Sequence, residues 1–244
     1  MTEALAPTRP GDVDFAPFLE CSSEIDWDQP AVLALAEELG AAGRGEPRRV
    51  AEACFLFVRD QIRHSIDYGL APVTCRASRV LAETSGLCYA KSHLLAALLR
   101  ANRIPAGLCY QRLVLAAGSP QCCLHGLNAL YLPDLGWFRV DARGNKPGVD
   151  ARFEPPREIL AFPLASPEEQ DFPWIFSRPL PALVAALNTG ETLDQLLPHL
   201  PDRATLSPAD GGPDNVCRAL PVSPTGLFGE PQPCAARRPR CGRC

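Results

Sequence analysis

The chain has 244 residues, enough for one substantial core and at most two domains. Hydrophobic residues make up 46%, charged residues 21%, and the formal net charge is −4. This suits a soluble globular protein and excludes a nucleic-acid binder acting through a domain-wide basic field.

The longest apolar run, around His93 to Leu99, falls well short of the ~18 residues of a membrane span, so no membrane partner is expected. Eleven cysteines are an odd number, and internal pairing must leave at least one thiol free. The first residues show neither the basic start nor the apolar stretch of an export signal. A cytoplasmic location with mostly reduced thiols is the expectation.

In chain order, residues 1–29 read as a leader with the anchors Phe15, Phe18 and Trp27. Asp28 and Pro30 mark a helix start, and 31–39 has helical apolar spacing closed by Gly40. A second helix is predicted over 48–66, with Val50, Cys54, Phe57, Val58, Ile62 and Ile66 on one side and His64 on the solvated part. A short helix over 77–82 precedes Ser85-Gly86-Leu87-Cys88 and a helix over 89–102. From Leu94 to Leu99 that helix has no polar side, which predicts burial in mid-domain.

After Pro105 the texture changes to strands, over 108–115, 122–132 and 136–141, with a turn at Pro133-Asp134-Leu135-Gly136. Helices first and strands after predict an α+β fold with an antiparallel sheet. Further on, 149–156 reads as extended and 180–187 and 191–197 as short helices. Residues 30–201 are thus expected to form a single domain. Residues 202–244, with 7 Pro, 5 Gly and 4 Cys among 43, read as a disordered tail.

Cys88 is the residue that points to chemistry. It opens the buried helix, where free backbone N–H groups and the positive end of the helix dipole favour a thiolate. Its backbone N–H is also placed to bind an oxyanion. A thiol nucleophile needs a base, and four histidines are available. His93 is five positions after Cys88, about 140° round the helix, and faces elsewhere. His199 lies between prolines near the tail. His125, inside the strand 122–132, is the candidate base.

Asp141, an acid ending an apolar strand, is the candidate to orient the imidazole. If Leu132 pairs with Gly136, the same register makes His125 and Asp141 diagonal neighbours on one face, within side-chain reach. Read without chemistry, the three are a buried cysteine, a strand histidine and a turn-capping aspartate.

The order Cys88, His125, Asp141, with residues 85–113 (SGLCYAKSHLLAALLRANRIPAGLCYQRL) and 124–144 (LHGLNALYLPDLGWFRVDARG), resembles the transglutaminase-like superfamily of papain-like cysteine enzymes. The resemblance covers roughly residues 48–145. It implies a papain-like, transglutaminase-type core in which the helix carrying Cys88 packs on an antiparallel sheet carrying His125 and Asp141. It implies a Cys88, His125, Asp141 triad acting on a peptide or other amide through a thioester, as protease or amidase rather than cross-linker. It also implies a second oxyanion donor from the segment before Cys88, for which Gln61 and Tyr68 are loose candidates. The chain departs from the family pattern at Leu127, often an aromatic, and at Ala142-Arg143, often Pro-Thr.

No cofactor fingerprint is present, and no metal is expected. Cys217, Cys234, Cys241 and Cys244 include a single C-x2-C pair and no interleaved histidine, a poor zinc set. The alternative to an enzyme is a non-catalytic binding or scaffold module of the same fold.

Overall fold

The computed structural model describes residues 14–115, 120–190 and 192–220. Helices α1 (Pro30–Ala42), α2 (Pro47–Gln61), α3 (Ser65–Tyr68), α4 (Ala77–Glu83) and α5 (Cys88–Ala101) lead the chain, with two short strands, β1 (Arg63–His64) and β2 (Ser85–Gly86), between them. Strands β3 (Ala106–Val114), β4 (Cys122–Leu132) and β5 (Gly136–Val140) follow. The remainder holds β6 (Arg152–Glu154), β7 (Arg157–Ile159), β8 (Gln170–Asp171), β9 (Trp174–Phe176), α6 (Pro181–Leu187), α7 (Leu193–Leu196) and β10 (Cys217–Ala219). The main sheet runs β10-β9-β3-β4-β5, with β8 also paired to β3, and every pairing in it is antiparallel. The fold is α+β, as the sequence implies.

Helix α5 is the centre of the domain. Every residue from Cys88 to Arg100 is buried. Strands β3 and β4 cover one flank, and α1, α2 and α4 pack on the others. Its apolar circumference therefore faces protein on all sides. Proline opens α1 and α2, where its missing N–H loses no helix bond. Val50, Ala51, Cys54, Phe55 and Val58 of α2 form the stripe it turns to the core.

The structure corrects several boundaries. Helix α1 runs through Gly40 to Ala42 because the glycine is an approach point and not a stop. A β-carbon there would lie 2.4 Å from Oδ1 of Asn102, whose Nδ2 donates to Ala36 O and Leu98 O. The helix expected over 48–66 ends at Gln61. Ile62 turns extended, Arg63 N donates to Thr84 O at 2.9 Å, and β1 pairs in parallel with β2. A tertiary strand pairing wins over a continuous apolar spacing.

The ends also depart from the expectation. Residues 14–29 are part of the core: Phe18 and Ile25 are fully buried, and Phe15 packs on Tyr131 at 4.5 Å between ring centroids. The disorder expected from 202 onward does not hold for 202–220. Leu206 is buried, Trp174 Nε1 donates to Leu206 O at 2.8 Å, and β10 pairs with β9. Few residues there are apolar, but they dock on an open sheet edge, which composition does not reveal. Residues 1–13 and 221–244, including Cys234, Cys241 and Cys244, lie outside the described residues.

Candidate active site

Cys88 is the first residue of α5, behind an extended Leu87. Helix geometry leaves the first backbone N–H groups without internal partners at this point. Lys91 N, bonded to Leu87 O at 2.9 Å, closes the first turn. Strand β4 crosses this turn closely. A β-carbon at Gly126 would meet Tyr89 Cδ1 at 2.8 Å and Tyr89 Cα at 3.1 Å, so only glycine lets the backbones approach this far. That approach sets His125 beside Cys88. The Tyr89 hydroxyl adds a hydrogen bond to Leu124 O and locks the two elements together.

The β4–β5 register has Leu132 opposite Gly136 and Asn128 opposite Val140. Asp141 follows directly on the same face as His125, as the turn predicts. His125 Nε2 donates to Asp141 Oδ2 at 2.8 Å. The carboxylate also accepts from Arg143 N at 3.1 Å and Ala161 N at 3.0 Å. All three side chains are sealed: Cys88 is 1% exposed, His125 and Asp141 0%.

Burial disfavours both charged forms, but attraction between the two groups prevails. Asp141 and, in addition, the Cys88 thiol raise the imidazole's proton affinity. His125 and the two backbone N–H groups hold Asp141 below the usual carboxylate range. With Nε2 bound to Asp141, Nδ1 is the nitrogen left for the sulfur. Nδ1 itself has no hydrogen-bond partner. Phe162 packs edge-on against the imidazole, ring centroids 5.1 Å apart at 82°.

A charged layer lies beside these three side chains. Arg143 grips Asp67 with both terminal nitrogens, at 2.5 and 3.0 Å, and Lys146 reaches the same carboxylate at 2.5 Å. Lys91, one turn after Cys88, is fully buried and donates to Ile62 O and to Arg59 O. Burial, with help from Arg143, pulls its ammonium down to about 7.

Of the other histidines, His93 meets Cys75 O at 2.8 Å and faces away from the thiol, as its helix angle predicts. His199 is exposed. His64 overturns its expectation: it is 2% exposed, lies in β1, and faces the triad's cations instead of solvent. Gln61 and Tyr68, the loose oxyanion candidates, are both exposed. Ala161, Phe162 and Asp67 belong to the site but stand in segments with no periodic or motif signal.

One surface cleft, lined by Asn102, Ile104 and Tyr131 among others, sits at the far end of α5 from Cys88. A second cleft, of about 140 Å³, is lined by Arg63, His64, Asp67, Tyr68, Gly144 and Asn145 among others and adjoins the charged layer. Among the described residues no group of three or more His, Cys, Asp or Glu is placed to hold a metal ion, and no helix is long and apolar enough to cross a membrane.

Residues 34–142 match the family model of the transglutaminase-like superfamily. This stretch, which contains Cys88, His125 and Asp141, is a transglutaminase-like superfamily domain. Among curated proteins none matches the chain. Among solved structures, a candidate cysteine protease from Cytophaga hutchinsonii is similar at 22% identity and a TM-score of 0.41, over 54% of this chain and 43% of that one. The periplasmic domain of TgpA from Pseudomonas aeruginosa is similar at 21% and 0.40, over 54% and 48%. This chain thus spans less than half the length of either.

Proposed function

We propose that the protein is a thiol-dependent hydrolase or acyltransferase acting on peptide or other amide bonds, with Cys88 as nucleophile, His125 as base and Asp141 as the group that orients His125. The observation that supports this most is the 2.8 Å bond from His125 Nε2 to Asp141 Oδ2 among fully buried side chains, with the other ring nitrogen unpartnered.

In this reading His125 takes the thiol proton as Cys88 Sγ bonds to the substrate carbonyl carbon. The intermediate collapses, the C–N bond breaks, and His125 hands its proton to the departing nitrogen. A thioester remains on Cys88. Water then attacks with His125 again as base, giving a carboxylic acid and the restored thiol. An amine in place of water would give transamidation. Hydrolysis is preferred here because it requires no second substrate site.

A second reading, a binding module of the same fold, draws on the burial of Cys88 at 1% exposure. Trapping separates the two. The chain is incubated with a library of peptides and glutamine analogues and examined by intact-mass and peptide mass spectrometry. An acyl adduct on Cys88, absent in Cys88→Ala, is the expected result. No adduct on any member favours the binding module.

A further inference from the structure

Arg143 is connected to both Asp141 and His125, by separate routes. Its backbone N–H donates to Asp141 Oδ1 at 3.1 Å. Its guanidinium lies over the face of Phe162, 5.4 Å from the ring centroid. Phe162 in turn stands edge-on to the His125 imidazole, with centroids 5.1 Å apart. The residue before it, Ala161, gives its N–H to Asp141 Oδ2 at 3.0 Å. Two chain segments, at 143 and at 161–162, thus meet on the His125–Asp141 pair.

The guanidinium is itself held in place. It is buried, with its two terminal nitrogens on the Asp67 carboxylate at 2.5 and 3.0 Å. A buried charge persists when it is paired, and the planar fork of arginine matches a carboxylate. Asp67 belongs to α3, so the cation over Phe162 is anchored outside the sheet that carries His125. A cation within ~6 Å of a ring centroid is attracted to the ring's face, and aromatic rings at edge-on separations attract as well. The imidazole has a use for this contact. The single bond at Nε2 fixes one point of the ring and not its plane, and the ring torsion of a histidine is intrinsically broad. The plane decides where Nδ1 points.

We infer that Arg143 is a positioning residue for acyl transfer: through Phe162 its guanidinium sets the plane of the His125 ring, while its backbone N–H steadies Asp141. The inference rests on the acyl-transfer reading above. Any residue except proline can supply the backbone bond, so the side chain is needed for the ring alone. No proton and no bond of the reaction passes through Arg143. His125 takes the thiol proton as the Sγ–C bond forms and gives it to the nitrogen as the C–N bond breaks. Arginine keeps its charge at every working pH, so the brace does not loosen as the imidazole titrates.

The test follows Cys88 in the full chain through two reactions, acylation by p-nitrophenyl acetate and, across pH, alkylation by iodoacetamide. Arg143→Gln, Arg143→Lys and Phe162→Leu all keep the backbone N–H at position 143. Each is expected to slow acylation near neutral pH by about 10–10², the cost of a misplaced base. Each should also move the onset of alkylation up toward pH about 8.5, where an ordinary thiol ionises. Above that pH the thiolate forms without His125, and alkylation should match wild type. A general loosening of the fold would change alkylation there too, and that result would overturn the positioning role. Lysine keeps the charge but neither the plane nor the two-pronged grip, so full recovery in Arg143→Lys would reject the brace. Because Arg143 acts through Phe162, the double variant Arg143→Gln with Phe162→Leu should be little slower than either single one, and additive losses would also count against it. If the Arg143 variants do not fold, Phe162→Leu decides alone, unchanged acylation rejecting the proposal. If wild-type Cys88 alkylates but is not acylated, the acyl-transfer reading itself falls, a result visible before any variant is made.

Discussion

Gly126 and Tyr89 are in such close contact that the space for a single methyl group is missing: a β-carbon on Gly126 would overlap the Tyr89 ring edge at 2.8 Å. Tyr89 neighbours Cys88 and Gly126 neighbours His125, so this contact governs how closely those two residues approach. Gly126→Ala should push β4 off the first turn of α5. The overpacking is expected to cost about 1–3 kcal/mol, read by denaturant unfolding. Acylation of Cys88 should fall further than stability alone explains. A variant with unchanged acylation would show that the contact does not set the site's geometry.

Asp141→Asn should preserve the hairpin and yet slow acylation by up to ~10⁴, because an amide neither stabilises the imidazolium nor enforces its tautomer. Its stability effect should depend on pH. His125 has a raised value in the fold, so its stabilisation is fully present below the ordinary imidazole range and fades as pH rises through the folded value. Asp141 has a lowered value, so its stabilisation is present above the ordinary carboxylate range and fades as pH falls through the folded value. Wild type and variant should thus differ most between those limits and converge at both extremes. Parallel stability curves across pH would contradict the pairing.

Iodoacetamide at mildly acidic pH should label Cys88 before Cys54 and Cys75, whose thiols burial pushes up to about 12. Peptide mapping over a time course gives the order. Cys88→Ala should abolish acylation and shift stability by only ~1 kcal/mol. Retention of full activity would assign the nucleophile to another cysteine.

Ending the chain at Asp202 should lower the unfolding midpoint. It removes Leu206 from the core, the Leu206 carbonyl that Trp174 binds, and the strand covering β9. A truncated chain that melts at the wild-type temperature would mean these contacts contribute nothing net.

Much of the site was legible because its carriers obey local rules. An apolar helix can lie only in the core, and a turn at 133–136 fixes which face Asp141 shares with His125. His64 was misread because Ile62 and Ile66 continue the stripe of α2 and leave position 64 on its solvated side, whereas a pairing with residues 85–86 breaks the helix after Gln61. The third supports of Asp141 and His125, Ala161 and Phe162, were invisible. Their roles come from where the chain returns after β6 and β7, and no period or motif encodes that return. The order of β8, β9 and β10 around β3 escaped for the same reason, since strands of two or three residues carry too little pattern to read.

The three donors on Asp141 have a consequence for proton counting. His125 and the N–H groups of Arg143 and Ala161 occupy the carboxylate and hold it ionised. In the proposed reaction it is then a fixed anion, and a single mobile proton is shared between sulfur, imidazole and leaving group. Thiol with neutral imidazole, thiolate with imidazolium, and oxyanion with imidazolium all leave the pocket with the same total charge of about one negative unit. No ion has to enter or leave as the reaction advances. Formation of the thioester therefore needs no exchange of ions with bulk water, and burial of the three side chains is compatible with that half of the proposed reaction, water being required only when the thioester is hydrolysed.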